Sequence, residues 1–331
     1  RSSARALGIV PTPGGSDSNP GTRKEPWASP GYGSKRMAAG DTMVIRGGRY
    51  TLATFYDDAI TPPSGTESAP TVVKGEKGNR PVLAGRNDLF SAIDVSGKSH
   101  VRIENLEVTS DRGARFRVGV EAADGPVADL VLKDLYIHHI DAGAVNVADA
   151  NGMLIDNCRM AYCGTGCIMG PAGRQGGVRD LVVRGCYLGY SGHYYRGGPG
   201  PGPYDRPDGY GIEASEGPVE IAHTVVEHNR GDGLDSKSAN TYIHDCVVAN
   251  NGCDGVKLWA HDGRIANTLI YGAGDGVGGG SPWAGIVISA ATAGSDFEIV
   301  NVTLHDNPSR RAYPMYVGYN EKTPLNLLMR N

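Results

Sequence analysis

The sequence predicts an all-β protein, a single-stranded right-handed parallel β-helix with about 22 residues per coil. Three observations carry that prediction. The lines Gly211-Ile212-Glu213, Gly233-Leu234-Asp235 and Gly255-Val256-Lys257 recur at a constant interval, since 235 − 213 and 257 − 235 are both 22. Each line is followed by a second short apolar run and then a third, as in Thr241-Tyr242-Ile243 and Val247-Val248. Three short strands per repeat, with no helical period between them, describe a solenoid whose coils stack as parallel sheets. Parallel crossovers are right-handed. Composition agrees: 49 Gly and 20 Pro, against 4 Phe, in 331 residues fit many turns and many short strands.

Taken in order, residues 1–14 read as a flexible tail, 15–60 as an N-terminal cap, and 61–331 as the β-helix. The chain starts at Arg1, so any signal peptide is expected to have been removed already. Coils begin near Ala92-Ile93-Asp94, Gly119-Val120-Glu121, Ala144-Val145-Asn146 and Gly166-Cys167-Ile168, then at the three lines above, then at Gly285-Ile286-Val287 and Pro314-Met315-Tyr316. One coil is interrupted: 191–208 is dense in Gly and Pro and predicts a loop that overhangs the following strand. The last strand pattern, Pro324–Met329, runs to the end of the chain, which predicts an open sheet edge, as at a truncation, or an unusual cap.

The segments Gly15–Thr22 and Ala39–Tyr50 resemble the lead-in of secreted bacterial β-helix proteins of the pectate-lyase-like superfamily. The resemblance implies the same fold and a secreted, extracellular protein. A net charge of −4 gives no sign of a nucleic-acid or membrane surface. No apolar run is long enough to span a bilayer, and a monomer is expected. Cys158, Cys186 and Cys246 share one coil position with Leu106, Leu135, Thr224, Thr268 and Val302, so they are expected to face inward as small hydrophobes. Cys163 could pair with Cys167, or either with Cys253, and nothing in the spacing decides it.

Side chains alternate along a strand, so Ile212, Leu234 and Val256 should point inward. Glu213, Asp235 and Lys257 should then form an outward column, roughly 4.8 Å per coil. Single outward acids such as Asp94 and Glu121 are ordinary solvated residues. Asp208, Glu213, Asp232 and Asp235 are different, because they gather on two adjoining coils and would repel without a cation. A hard cation with oxygen ligands suits them, and Ca²⁺ tolerates irregular carboxylate cages better than Mg²⁺. Asp254 is a weaker candidate ligand. In the loop region, Tyr195 and Tyr210 could stack on sugar rings, while Arg196 or Arg206 could grip carboxylates.

At these residues a closer likeness enters. Gly231-Asp232-Gly233-Leu234-Asp235 and Asp254-Gly255-Val256-Lys257-Leu258 resemble the active-site run of polysaccharide lyase family 9. That family binds calcium through an Asp-Asp-Gly-aromatic-Asp motif and uses a lysine base in a Gly-Phe-Lys-Leu context. The resemblance implies Asp232 and Asp235 as ligands and Lys257 as base, while Gly231 departs from the motif's first Asp and Asp208 matches its earlier aspartate loosely. Asp235-Ser236-Lys237-Ser238 also resembles polysaccharide lyase family 6, which implies Lys237 as base, although no arginine stands where that family has its acid.

Both likenesses imply β-elimination on an acidic polysaccharide substrate, pectate-type or alginate-type. Lysine must lose its proton to act as base, and a nearby cation favours that. As an outward residue, Lys257 is expected to contribute little to stability. A glycosidase would need a carboxylic acid/base pair, and the polygalacturonase-type motif set is absent. A non-catalytic glycan-binding β-helix with structural calcium remains the other reading.

Overall fold

The structure, a computed structural model, describes residues 10–197, 200, 206–274, 283–305, 313–318 and 323–331. Among them the strands form three parallel sheets of eleven, ten and nine strands, each coil contributing one strand to each sheet in turn. The third sheet runs from Leu89–Asp94 through Asp208–Ser215, Leu234–Ser238 and Val256–Ala260 to Tyr313–Val317. Two one-turn helices, Pro30–Ser34 and Phe55–Asp58, are the only α-helices among the described residues.

Corners make the coil. Between the first and second strands a single residue takes the left-handed conformation, with φ between 47° and 54° at Asn105, Asp134, Asn157, His223, Asp245, Asn267 and Asn301. Short polar side chains tolerate that region, which is why Asn and Asp recur there. The next residue turns inward: Leu106, Leu135, Cys158, Cys186, Thr224, Cys246 and Thr268 are all buried. All six cysteines are free and buried, so the possible Cys163, Cys167 and Cys253 pairings are not formed. At the second corner His139, Tyr162, Tyr190 and His228 take φ of 51–56° and stack face to face at 4.8–5.0 Å.

Inside the third sheet, Ile93, Val120, Val145, Ile168, Tyr210, Leu234, Val256 and Ile286 align in register, each fully buried. Burying each such side chain is worth about 1.5–3 kcal/mol, and a slip of one residue would turn the whole column to solvent. At the N-terminal end Val10, Trp27, Met37 and Met43 close the core. Residues 10–14 are therefore not a free tail. The Thr12 amide donates to Trp27 O at 2.9 Å, and the Pro11 carbonyl accepts from Arg46 N and from the Tyr50 hydroxyl at 3.0 Å each. Residues 1–9 of the expected tail lie outside the described residues. The Leu325–Arg330 strand pairs in parallel with Ser295–Val300.

Candidate active site

Two stacked asparagines set up the site. Asn229 Nδ2 donates to Leu188 O at 3.2 Å and to Asn251 Oδ1 at 2.9 Å, and Asn251 Nδ2 donates to Val226 O at 3.2 Å. They fix the turns from which Asp232 and Asp254 emerge three residues later. The aspartates then stack as a ladder. Asp208 Oδ1 accepts the Asp232 amide at 2.7 Å, Asp232 Oδ1 accepts the Asp254 amide at 2.9 Å, and Asp254 Oδ1 accepts the Ala284 amide at 2.7 Å. Each carboxylate thus spends one oxygen on the next coil's backbone.

Beside the ladder runs the outward column Asp94, Glu121, Asn146, Met169, Gly211, Asp235, Lys257 and Val287. Lys257 Nζ lies 2.9 Å from Asp232 Oδ2 and 2.9 Å from Asp235 Oδ2. Lys237 Nζ lies 2.7 Å from Glu213 Oε1 and 3.2 Å from Asp235 Oδ2. Burial, reinforced by the charges of Asp232 and Asp235, holds the Asp208 carboxyl well above its ordinary range. Burial also raises Asp232, against the pull of Lys257. Asp254 is pushed up to about 7 by burial and then by Asp232. Burial alone would lower Lys257, but Asp232 and Asp235 hold it above the ordinary lysine value. Lys237 is raised in the same way by Asp235 and Glu213.

The residues present fit a hard cation. One carboxylate oxygen from each of Asp208, Asp232 and Asp235 lies within 4.8 Å of the other two. Asp235 Oδ1 is buried with no hydrogen-bond partner among the described residues, an arrangement that costs free energy unless something positive meets it. Two glycines hold the cradle open. A Cβ on Gly211 would stand 2.7 Å from Asp208 Oδ2, and one on Gly231 would stand 2.2 Å from Asp208 Oδ1. Gly231, the departure from the lyase motif, is the place that the Asp208 carboxylate occupies.

Several expected placements are corrected. Glu213 is not in the column of Asp235: the register pairs Gly211 with Asp235, and a bulge between Ile212 and Ser215 shifts the rest. The constant interval of 22 misaligned this coil by two residues, and Glu213 is exposed, against Lys237 and apart from the three aspartates. Ile212 is buried but stacks on Ser236, while Tyr210 takes the place on Leu234. Tyr210 is fully buried in that column and offers no ring to a sugar. Lys257 is buried, with its side chain 11% exposed, so it is not the weakly held surface lysine that alternation suggests. Glu121 is also buried and accepts from the Ala123 amide and Asn146 Nδ2.

The first part of the loop, 194–196, folds toward earlier coils rather than over the acids. Tyr194 Oη meets Ser110 Oγ at 2.9 Å, the Tyr195 hydroxyl donates to Gly164 O, and Arg196 lies against Gly113. Arg206 is on the acid side, its guanidinium 4.7 Å from the Trp283 ring centroid. Residues 198–199 and 201–205 of the expected loop lie outside the described residues. The sequence reading missed the asparagine pair, although His228-Asn229 and Asn250-Asn251 recur at the same interval of 22 as the strands.

A groove of about 540 Å³ leads from Asp208, Gly211, Glu213 and Lys237 across Met169 and Asn146 toward Glu121 and Asp124. A family model described as Pel9A-like, right handed beta helix region, matches residues 9–280. The chain belongs to the Pel9A-like family. Among solved structures, pectate lyase Pel9A superposes on this Pel9A-like chain with a TM-score of 0.54 at 13% identity, over 92% of this chain and 78% of that one. A structure described as a glycoside hydrolase gives a TM-score of 0.67 at 9% identity over 98% and 97%. An alginate lyase from Paenibacillus sp. str. FPU-7 gives 0.51 at 15% over 90% and 96%. At such identities these likenesses show the shared β-helix. The uncharacterized protein YwoF of Bacillus subtilis (strain 168) is 26% identical over 143 residues, which span 40% of this chain and 29% of that protein.

Proposed function

We propose that this Pel9A-like protein is a secreted, calcium-dependent polysaccharide lyase that cleaves a uronic-acid polysaccharide, pectate-type first, by β-elimination. One arrangement carries the reading: three buried carboxylates each bring an oxygen within 4.8 Å of the other two, Asp235 Oδ1 has no hydrogen-bond partner among the described residues, and Lys257 stands on the adjoining strand. Asp208, Asp232 and Asp235 would hold the ion. Calcium, when bound, neutralises the substrate carboxylate and so makes its α-proton easier to remove. The groove supports the same dependence, because Glu121, Asp124 and Glu213 on its walls repel a polyanion.

Lys257 is the proposed base. Its amine takes the proton α to the carboxylate, a carbon–carbon double bond forms, and the glycosidic oxygen leaves from the adjacent carbon. The same two carboxylates that a cation would engage now hold the Lys257 ammonium, so the base becomes available only as they change partner. Lys237 is the second reading, favoured by its position on the groove wall. Lys257→Arg and Lys237→Arg keep the positive charge that holds the fold, but guanidinium stays protonated. Ultraviolet absorbance of unsaturated product is the readout, over a panel of pectate, alginate and chondroitin-type chains. Loss in Lys257→Arg with retention in Lys237→Arg supports the first reading, and the reverse selects the second. No unsaturated product from any uronan, with calcium binding intact, would leave a glycan-binding module instead.

A further inference from the structure

We propose that His223, His244 and Asp245 form a site for a borderline divalent cation of the zinc class, far from the acid cluster in chemistry and on a different face of the helix. One ligand atom from each lies within 4.8 Å of the other two. The placement follows from the coil geometry. His223 and Asp245 are the left-handed corner residues of adjacent coils, with φ of 50° and 54°, so they project from one ridge. His244 ends the Thr241–His244 strand immediately before that corner. Its ring stacks on Tyr242 at 4.3 Å and meets the His223 ring edge-on at 5.8 Å, which fixes its plane.

The donor set selects the ion. Two imidazole nitrogens and one carboxylate suit zinc, whereas calcium prefers the all-oxygen aspartate site. His244 Nδ1 lies 2.7 Å from Asp245 Oδ2, and His244 Nε2 lies 3.2 Å from Glu220 Oε1. An ion bound through Nδ1, Asp245 and His223 therefore leaves Nε2–H donating to Glu220, the outer partner that orients a metal-binding imidazole. Zinc–ligand bonds of about 2.0–2.1 Å separate neighbouring ligand atoms by roughly 3.3 Å in a tetrahedron. Asp245 would draw back slightly from His244 and His223 would move inward, which these two exposed side chains can do. The fourth position falls to water, and the ion clamps two successive coils at their corner.

Isothermal titration of the whole folded chain with zinc chloride, in buffer already saturated with calcium, tests the site. One zinc per chain is expected, with affinity at least tenfold weaker in His223→Ala and in His244→Ala and about tenfold weaker in Glu220→Gln. A zinc-dependent rise in melting temperature that disappears in His223→Ala would corroborate the clamp. His223 is exposed, so its removal should leave the fold intact, and circular dichroism checks that. No zinc binding, parental affinity in both histidine variants, or loss of binding only in His139→Ala, whose Nδ1 lies 2.7 Å from His138 Nδ1, would each overturn the assignment.

Discussion

Replacing Lys257 by Met should destabilise the metal-free protein far more than loss of a surface lysine. The ammonium bridges two carboxylates at 2.9 Å each, and the side chains of Asp232 and Asp235 are only 1% and 7% exposed. At an effective dielectric near 20 each contact is worth about 6 kcal/mol before desolvation is counted. Most of that is offset by taking the ions out of water. Removing the ammonium, however, leaves Asp232 without a cation and Asp235 with Lys237 alone, for which about 3–5 kcal/mol is the expected loss. For 331 residues the unfolding entropy is near 0.7 kcal/mol/K, so the melting temperature should fall by about 4–7 °C in chelator. Calcium should restore more stability to the variant than to the parent, because in the parent calcium competes with the ammonium for the same oxygens. Scanning calorimetry of both proteins, with EDTA and with calcium, reads all four states. A variant melting within 1 °C of the parent in EDTA would refute the buried-bridge reasoning.

Gly231→Ala should evict the Asp208 carboxylate, whose Oδ1 would stand 2.2 Å from the new Cβ, and lose its bond to the Asp232 amide. About 1.5–3 kcal/mol of stability and at least tenfold in calcium affinity should go with it, as urea unfolding and titration calorimetry would show. Asp254 binds its proton more tightly folded than unfolded, so the folded state takes up protons between about pH 4 and 7 and its stability falls as pH rises through that window. Asp254→Asn keeps an acceptor for the Ala284 amide and removes the titration. It should flatten the pH 5–7.5 slope of melting temperature in EDTA, and an unchanged slope would count against the raised carboxyl. Tyr210→Phe should leave KM for the cleaved uronan within twofold, since the ring is fully buried; a tenfold rise would place it in the groove after all.

By itself the sequence determined the coil. Its period, the Gly-apolar-polar lines and the Asn or Asp that recurs between the first and second strands of most coils are local signals, and in a solenoid every coil contacts only its neighbours, so local pattern becomes global architecture. The inward cysteine column and the gathering of Asp208, Asp232 and Asp235 were legible for the same reason. Tertiary structure decided what depends on register and depth. Pairing of Gly211 with Asp235, an interval of 24 rather than 22, set Glu213 two positions from Asp235's partner, which no fixed interval reveals. Alternation says that Lys257 and Glu121 leave the core, but not that neighbouring coils then bury them. Gly231 looked like a lost ligand until Asp208, 23 residues earlier, was seen filling its space. Those outcomes turn on ångström-scale packing between coils, where a side chain's role is set by its neighbours above and below rather than by its place in the repeat.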